Sequence, residues 1–353
     1  MSPRDPFAAA AAALAPFTDA AAVLVDLGLP LGPDLGSYDY IILAISGGAD
    51  SVACLLTVLL AGVDRTRLEI WHHAIDGQEG STLMDWPCTT DYVRKLAQAF
   101  DIPFYMSWRV GGLEGELDRN HTPTGKVCFE TPKGLREVGG KGPEGKRGLF
   151  PQESGDLKLR WCSPVGKIDV SAVALRNQDR FEQARTLFVT GERAEEGPKR
   201  ARYNVFEPQT RTDRREGELG RHVDHYRPVH HLSKCAVWAL LERFNVNPHP
   251  CYKLGWGRCS CAACIFGNKH QWASLRHANP AQFRGIAKKE ALTGQTIKRS
   301  GLNVIQLADR GTPYPDMDPH DIETALSPIY NEPIFVYPWT LPKGAYGDSC
   351  GPT

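Results

Sequence analysis

The chain has no excess of charge of either sign: 41 Lys and Arg balance 41 Asp and Glu, and the formal net charge is zero. No global basic field advertises nucleic acid, so any such contact is expected to be local. No apolar run approaches the length of a membrane-spanning helix, and no internal repeat is apparent. The alanine-rich stretch from Phe7 to Phe17 is preceded by Asp5 where an export signal needs positive charge. It reads instead as an N-terminal helix continued by Asp19 to Leu27. A Walker A loop is also missing. Gly47-Gly48 has neither the longer spacing nor the Lys-Ser/Thr ending of that motif.

What is present is concentrated in Tyr40 to Leu56. The apolar run Ile41 to Ile45 breaks at Ser46-Gly47-Gly48, and an amphipathic segment starts at Asp50-Ser51. Strand, glycine turn and helix start together make a phosphate-binding device. Glycines admit the ligand close to the backbone, and unpaired N–H groups with the helix dipole favour an anion.

Further strands are expected at Leu68–Ala74, Pro103–Trp108 and Thr186–Val189, with a helix over Thr90–Phe100. Strands alternating with helices predict an α/β fold, a doubly wound and mostly parallel sheet with a cysteine-rich helical C-terminal part. Ligands then bind beyond the carboxyl ends of the strands, where Ser46, Asp76 and Gly191 all lie. Ser233 is expected to cap a helix running to Asn245 with Val237, Trp238, Leu240, Leu241 and Phe244 on its apolar face. Gly111 to Gly155 lacks a sustained period and reads as a long loop or lid, and the Pro-rich part from Gly311 as an extended tail. Four parts follow: a helical segment 1–36, a nucleotide-binding α/β part 37–228 with an insertion at about 110–158, a cysteine-cluster part 229–310, and the tail 311–353.

The chain has 10 cysteines. Cys54 and Cys235, inside predicted helices, read as buried small apolar residues. Cys251, Cys259, Cys261 and Cys264 are dense enough to suggest a metal or cluster, the Cys-x-x-Cys at 261–264 biting one centre.

SGGADS, Ser46 to Ser51, resembles the PP-loop of the ATP pyrophosphatase superfamily, although many relatives carry Lys where Ala49 stands. Thr190-Gly191-Glu192-Arg193-Ala194-Glu195-Glu196 with Lys199-Arg200-Ala201 is similar to a signature of the phosphoadenosine-phosphosulfate (PAPS) reductase-like family. Arg227-Pro228 and His249-Pro250-x-Tyr252-x-x-Gly255-Trp256-x-Arg258 resemble it too, so the likeness runs from about Tyr40 to Gly267. Arg160-Trp161-Cys162-Ser163 through Lys167 is similar to the paired-cysteine segment of adenylyl-sulfate reductases, with Ser163 in place of the second cysteine.

The resemblance implies a cytoplasmic enzyme using ATP and Mg2+, with Ser46, Gly47, Gly48 and Ser51 cradling pyrophosphate and Asp50 orienting Mg2+. Asp76 and Gly191 would complete the nucleotide site. Lys167, Arg160 and Arg193 would neutralise phosphate, Arg193 bidentately. Cys162, Cys259, Cys261 and Cys264 would hold a [4Fe-4S] cluster, with Zn2+ as the alternative and Cys251 or a histidine behind Cys259 as fourth ligand.

Three functions fit. The first is the branch of ATP pyrophosphatases that activate DNA for phosphorothioation, with a cysteine desulfurase and other modification-complex subunits as partners. Arg211, Arg214, Arg215 and Arg221 are then candidates for contacting DNA phosphates. The second is a PAPS or adenylyl-sulfate reductase, in which Cys350 near the chain end would attack sulfur. The third is a non-catalytic nucleotide-sensing subunit.

Overall fold

A computed structural model describes residues 32–346; the N-terminal helix and Cys350 lie outside the described residues. The strands are β1 (Tyr40–Ala44), β2 (Leu68–Ala74), β3 (Phe104–Arg109), β4 (Val127–Thr131), β5 (Gly134–Val138), β6 (Arg185–Val189), β7 (Phe206–Pro208) and β8 (His222–Tyr226). They form one sheet in the order β5-β4-β3-β2-β1-β6-β8-β7. The middle five, β3, β2, β1, β6 and β8, run parallel. β4 and β5 extend one edge antiparallel, and β7 closes the other. Ile41, Ile42 and Leu43 are fully buried on successive positions, as a parallel strand covered on both faces requires.

The helices are α1 (Ala49–Leu60), α2 (Thr89–Ala99), α3 (Gly112–Leu117), α4 (Asp169–Arg176), α5 (Pro198–Ala201), α6 (Lys234–Arg243), α7 (Pro250–Lys253), α8 (Lys269–Ala278), α9 (Pro280–Thr293), α10 (Val304–Asp309) and α11 (Pro319–Leu326). A π-turn, Pro164–Ile168, leads into α4. Nearly every side chain of α1 is buried, because its apolar residues go all round and it lies between the sheet and α6. Ser233 caps α6 as expected, its Oγ accepting from the Ala236 N–H at 3.2 Å. One apolar cluster runs from Tyr38 to Ile334, so the C-terminal helices pack on the same core as the sheet.

The chain leaves β1 for β2 on one side and reaches β6 on the other. The switch point of this doubly wound sheet therefore falls between β1 and β6, which pair directly.

Three expectations need correction. The stretch 111–155 is not one long loop, for it contains α3 and the β4–β5 hairpin. β5 is an exposed edge strand of Gly, Leu, Arg and Glu, so it lacks the apolar alternation that reveals a strand. The tail is anchored: Asp318 caps α11, Ala325 and Tyr330 are fully buried, and the Tyr330 N–H donates to Asp91 at 2.9 Å. Cys235, expected inside, is exposed, since it falls on the face of α6 opposite Val237 and Leu241.

Candidate active site

The phosphate loop sits at the end of β1, beside the end of β6. Gly47 has φ +85°, a left-handed turn that glycine adopts without strain. Gly48 is the N-cap of α1 and offers no side-chain cap, so the Asp50 and Ser51 N–H groups are left for a ligand. Ser51 Oγ donates to the Gly48 carbonyl at 2.8 Å and accepts from the Ser46 N–H at 3.3 Å. The loop is thereby shaped by its own serine.

Gly191, two residues past the end of β6, touches this loop. A Cβ there would stand 2.9 Å from the Asp50 carbonyl carbon and 3.0 Å from Ser51 N. Two residues on, Arg193 Nε donates to Asp50 Oδ1 at 2.6 Å. Arg193 also pairs with Glu195 at 2.6 Å and donates to the Leu232 carbonyl at 3.2 Å. Burial pushes the Asp50 carboxyl above its ordinary range, and Arg193 opposes that rise. Glu196 pairs with Arg200 and with Arg258, the latter at 3.5 Å. Ala49, Asp50, Arg193, Glu196 and Arg258 line a cleft whose other wall is Trp238, Val237, Lys234 and Tyr252. This cleft is amphipathic, with charges around the loop and an indole opposite, as a nucleotide requires.

Four neighbours hold the loop, Tyr252 from the cleft wall and His72, His249 and Cys259 from behind. Tyr252 Oη accepts from the Ala49 N–H at 2.9 Å. His72, at the end of β2, donates from Nδ1 to the Ile45 carbonyl at 2.9 Å, and its Nε2 faces Thr90 Oγ1 at 3.3 Å. Burial lowers its pKa to about 4, so it is a neutral structural imidazole. His249 and Cys259 lie against the glycines: a Cβ on Gly47 would meet His249 Cδ2 at 3.4 Å, and one on Gly48 the Cys259 carbonyl oxygen at 3.3 Å.

Asp76 stands at the end of β2, where its sequence position put it. Its two oxygens, however, accept from the Met84 and Asp85 N–H groups at 2.8 to 3.1 Å. It ties down the 83–85 loop and is absent from the cleft wall. Burial pushes its carboxyl up to about 7.

Lys167 projects from the π-turn, half-buried, and forms no ion pair among the described residues. Its charge is felt at Asp85, Cys162, Cys259 and Cys261, where it opposes the effect of burial. Arg160 lies over the Phe266 ring at 5.6 Å. Burial raises the Cys162 thiol to about 11, with Cys264 pushing the same way; burial also raises Cys261, with Cys264 among the groups adding to it. Cys264 thus lies near enough to both Cys162 and Cys261 to influence their thiols, and the three are candidate thiolate ligands. Cys259 has other company. Its thiol, Cys251 and His249 offer ligand atoms that all lie within 4.8 Å of one another.

The arginines proposed for a DNA backbone are largely engaged within the protein. Arg211 pairs with Asp169 at 2.8 Å, and Arg215 with Asp213 at 2.8 Å and Asp224 at 2.6 Å. Arg221 is buried and donates to the Thr212 carbonyl at 2.9 Å. Arg214 donates to the Asp213 carbonyl.

Residues 133–266 match the phosphoadenosine phosphosulfate reductase domain family. This span takes in β5 through the Cys-x-x-Cys, including Cys162, Lys167 and Arg193, while the phosphate loop precedes it. The chain is also 25% identical over 275 residues to a protein of Escherichia phage 186 described as an uncharacterized 37.8 kDa protein in the gpa 5' region. That alignment covers 73% of this chain and 76% of the phage protein. Together, fold, loop and match support a nucleotide-using enzyme of the PP-loop type.

Sequence reasoning missed Trp238 and Arg258 as walls of the cleft, and Cys88 as a neighbour of His249 behind it. Arg258 and Tyr252 were visible within the His-Pro…Gly-Trp-x-Arg stretch. Cys88 has no local signal, being 161 residues from the histidine it meets.

Proposed function

We propose that the protein is an ATP pyrophosphatase that activates an acceptor in nucleic acid, the DNA backbone first, for sulfur insertion. The observation that carries this reading is the Asp50–Arg193 pair at the mouth of the phosphate loop. A carboxylate placed among phosphate-binding N–H groups repels a bare phosphate. It suits a substrate that arrives with a cation, as Mg2+·ATP does.

Asp50 would hold Mg2+, which when bound neutralises charge on the leaving pyrophosphate. Arg193, fixed by Glu195 and the Leu232 carbonyl, lies ready to stabilise the α-phosphate as charge builds there. Trp238 offers a flat surface for the base. In the reaction an acceptor phosphate oxygen attacks the α-phosphorus, and the α–β bridging oxygen leaves with pyrophosphate. The adenylylated acceptor is then open to a sulfur nucleophile that displaces AMP. The protein's share is positioning and charge neutralisation. A cysteine desulfurase would provide the sulfur, and Cys162, Cys261 and Cys264 would hold the [4Fe-4S] cluster.

The family match favours a second reading, reduction of PAPS or adenylyl sulfate at the same nucleotide cleft. One experiment separates the two. Protein purified without oxygen is incubated with Mg2+ and α-labelled ATP, with and without DNA. Labelled AMP, increased by DNA, is the expected result. ATP left intact while PAPS is reduced in the presence of thioredoxin overturns the pyrophosphatase reading.

A further inference from the structure

Behind the phosphate loop lies a buried group of soft ligands. Cys88, Cys251 and His249 are at or near zero exposure, and Cys259 is 8% exposed. The ligand atoms of His249, Cys251 and Cys259 lie within 4.8 Å of one another. Cys88 stands outside that trio, but its Sγ is 3.4 Å from His249 Nε2, which makes it the candidate fourth donor. We propose that Cys88, His249, Cys251 and Cys259 form a second metal site, for a single zinc-class ion, separate from the Cys162, Cys261 and Cys264 set.

The spacing selects the kind of centre. Zn–S bonds of about 2.3 Å and Zn–N bonds of about 2.0–2.1 Å at tetrahedral angles put ligand atoms roughly 3.5–3.8 Å apart. The measured 3.4 Å and the 4.8 Å limit suit one ion. A four-iron cubane spreads its thiolates farther than that. Three sulfurs and one imidazole are the Cys3His donor set of structural zinc sites, closed to solvent and to substrate.

The sequence path explains how the set assembles. Cys88 is the N-cap of α2, and His249 is the N-cap of α7, which presents Cys251 two residues on. Cys259 comes from the loop that lies on Gly48. His249 Nδ1 now accepts the Cys251 N–H at 3.2 Å, which leaves the exchangeable proton on Nε2. Metal entry needs the other tautomer. Loading therefore gives up that hydrogen bond and releases the thiol protons. Thr89 Oγ1, 3.2 Å from Nε2, holds the ring in place until then.

The position gives the ion a task. His249 and Cys259 are the residues against which Gly47 and Gly48 rest. An ion joining them to the start of α2 would fix the back of the phosphate loop without touching the nucleotide.

The test is metal counting on the full chain. Zinc and iron are measured by mass spectrometry in the wild type, in a Cys88→Ala/Cys251→Ser variant and in a Cys261→Ser/Cys264→Ser variant, each checked for fold by circular dichroism. The first variant is expected to lose one zinc equivalent and keep all other metal, and the second to keep that zinc. Unchanged metal in the first variant, or loss of the same metal from both, overturns the proposal. Should the first variant fail to fold, metal-free wild-type protein is loaded with one equivalent of Co2+. X-ray absorption showing about three sulfurs and one nitrogen supports the site, and an oxygen-dominated shell refutes it.

Discussion

Gly191→Ala is the sharpest perturbation that the structure defines. The added Cβ would lie 2.9 Å from the Asp50 carbonyl carbon, 3.0 Å from its oxygen and 3.0 Å from Ser51 N. All three are backbone atoms, so no rotamer change relieves the clash. An ordinary contact begins near 3.4 Å, and the start of α1 must retreat by about 0.5 Å to reach it. β6 cannot yield instead, because β1 and β8 hold it on both sides. Overpacking of this kind costs about 1–3 kcal/mol of stability. The larger effect falls on chemistry. The shift moves Asp50 and the loop N–H groups relative to Arg193, and a misplacement approaching 1 Å costs on the order of 100-fold in rate. AMP formation is followed at saturating Mg2+·ATP, and urea midpoints give stability. The expected result is a loss of roughly 10- to 100-fold in kcat with a folded protein. Wild-type turnover together with a wild-type midpoint would refute the argument that the two strand ends meet at this glycine.

Asp50→Ala should abolish nucleotide turnover and leave the fold intact, as measured by labelled AMP and circular dichroism; normal turnover would remove Asp50 from the site. Cys261→Ser with Cys264→Ser should strip iron and any visible cluster absorption from anaerobically purified protein, read by elemental analysis. Acid should destabilise the fold. Burial lowers His72 to about 4, His73 to about 3 and His225 to about 4, against about 6.5 when unfolded. The unfolded chain therefore binds more protons below pH 6.5, and this contribution is present above 6.5 and lost as pH falls toward 4. Asp76, raised to about 7, acts in the opposite sense, gaining stability as pH falls below 7. Urea titrations at pH 5 and pH 6.5 should thus show a steeper acid loss in Asp76→Asn than in the wild type, by up to about 1.4 kcal/mol per pH unit; equal losses would mean that Asp76 is ionised throughout.

The parts of the fold that were legible in the sequence are those buried on both faces. Leu68–Ala74 was read to the residue as β2, where Leu68, Ile70, Trp71 and Ala74 are buried at the centre of the sheet despite Glu69, His72 and His73 among them. β8, His222–Tyr226, escaped notice because Asp224 and His225 interrupt it, each satisfied by partners elsewhere in the chain: Asp224 by Tyr38, Arg215 and His222, His225 by Thr190 and Arg227. The β4–β5 hairpin was hidden by its exposed edge. At the site, the SGGADS loop announced itself because its chemistry is local in sequence. Asp76 looked functional from its place at a strand end, but only the structure shows its oxygens already taken by backbone donors. The arginines from 211 to 221 looked like a phosphate surface, whereas most of that charge is paired internally. The cysteines divided differently from their spacing, because Cys259 turns toward Cys251 and His249 while Cys261, two residues on, feels Cys264.

This division follows from what a phosphate loop needs. Those of its N–H groups that receive the ligand must stay unpaired, so the loop has fewer internal hydrogen bonds to hold it than other turns. Support has to come from side chains and glycine contacts behind it. Here His72 takes the Ile45 carbonyl, Tyr252 takes the Ala49 N–H, Gly191 braces the start of α1, and His249 and Cys259 back the two glycines. These supports come from three parts of the chain: His72, Gly191, and the stretch that holds His249, Tyr252 and Cys259. The Cys-x-x-Cys segment belongs to the same stretch as the last of them. Whatever Cys261 and Cys264 hold is therefore joined, within a few residues, to the geometry of the nucleotide cleft. A change in that segment should alter nucleotide affinity even where it touches no nucleotide atom. Titration calorimetry with a non-hydrolysable ATP analogue on metal-loaded and metal-stripped protein should show weaker binding after stripping. Equal affinities, with the fold retained, would mean that the loop is held by its protein contacts alone.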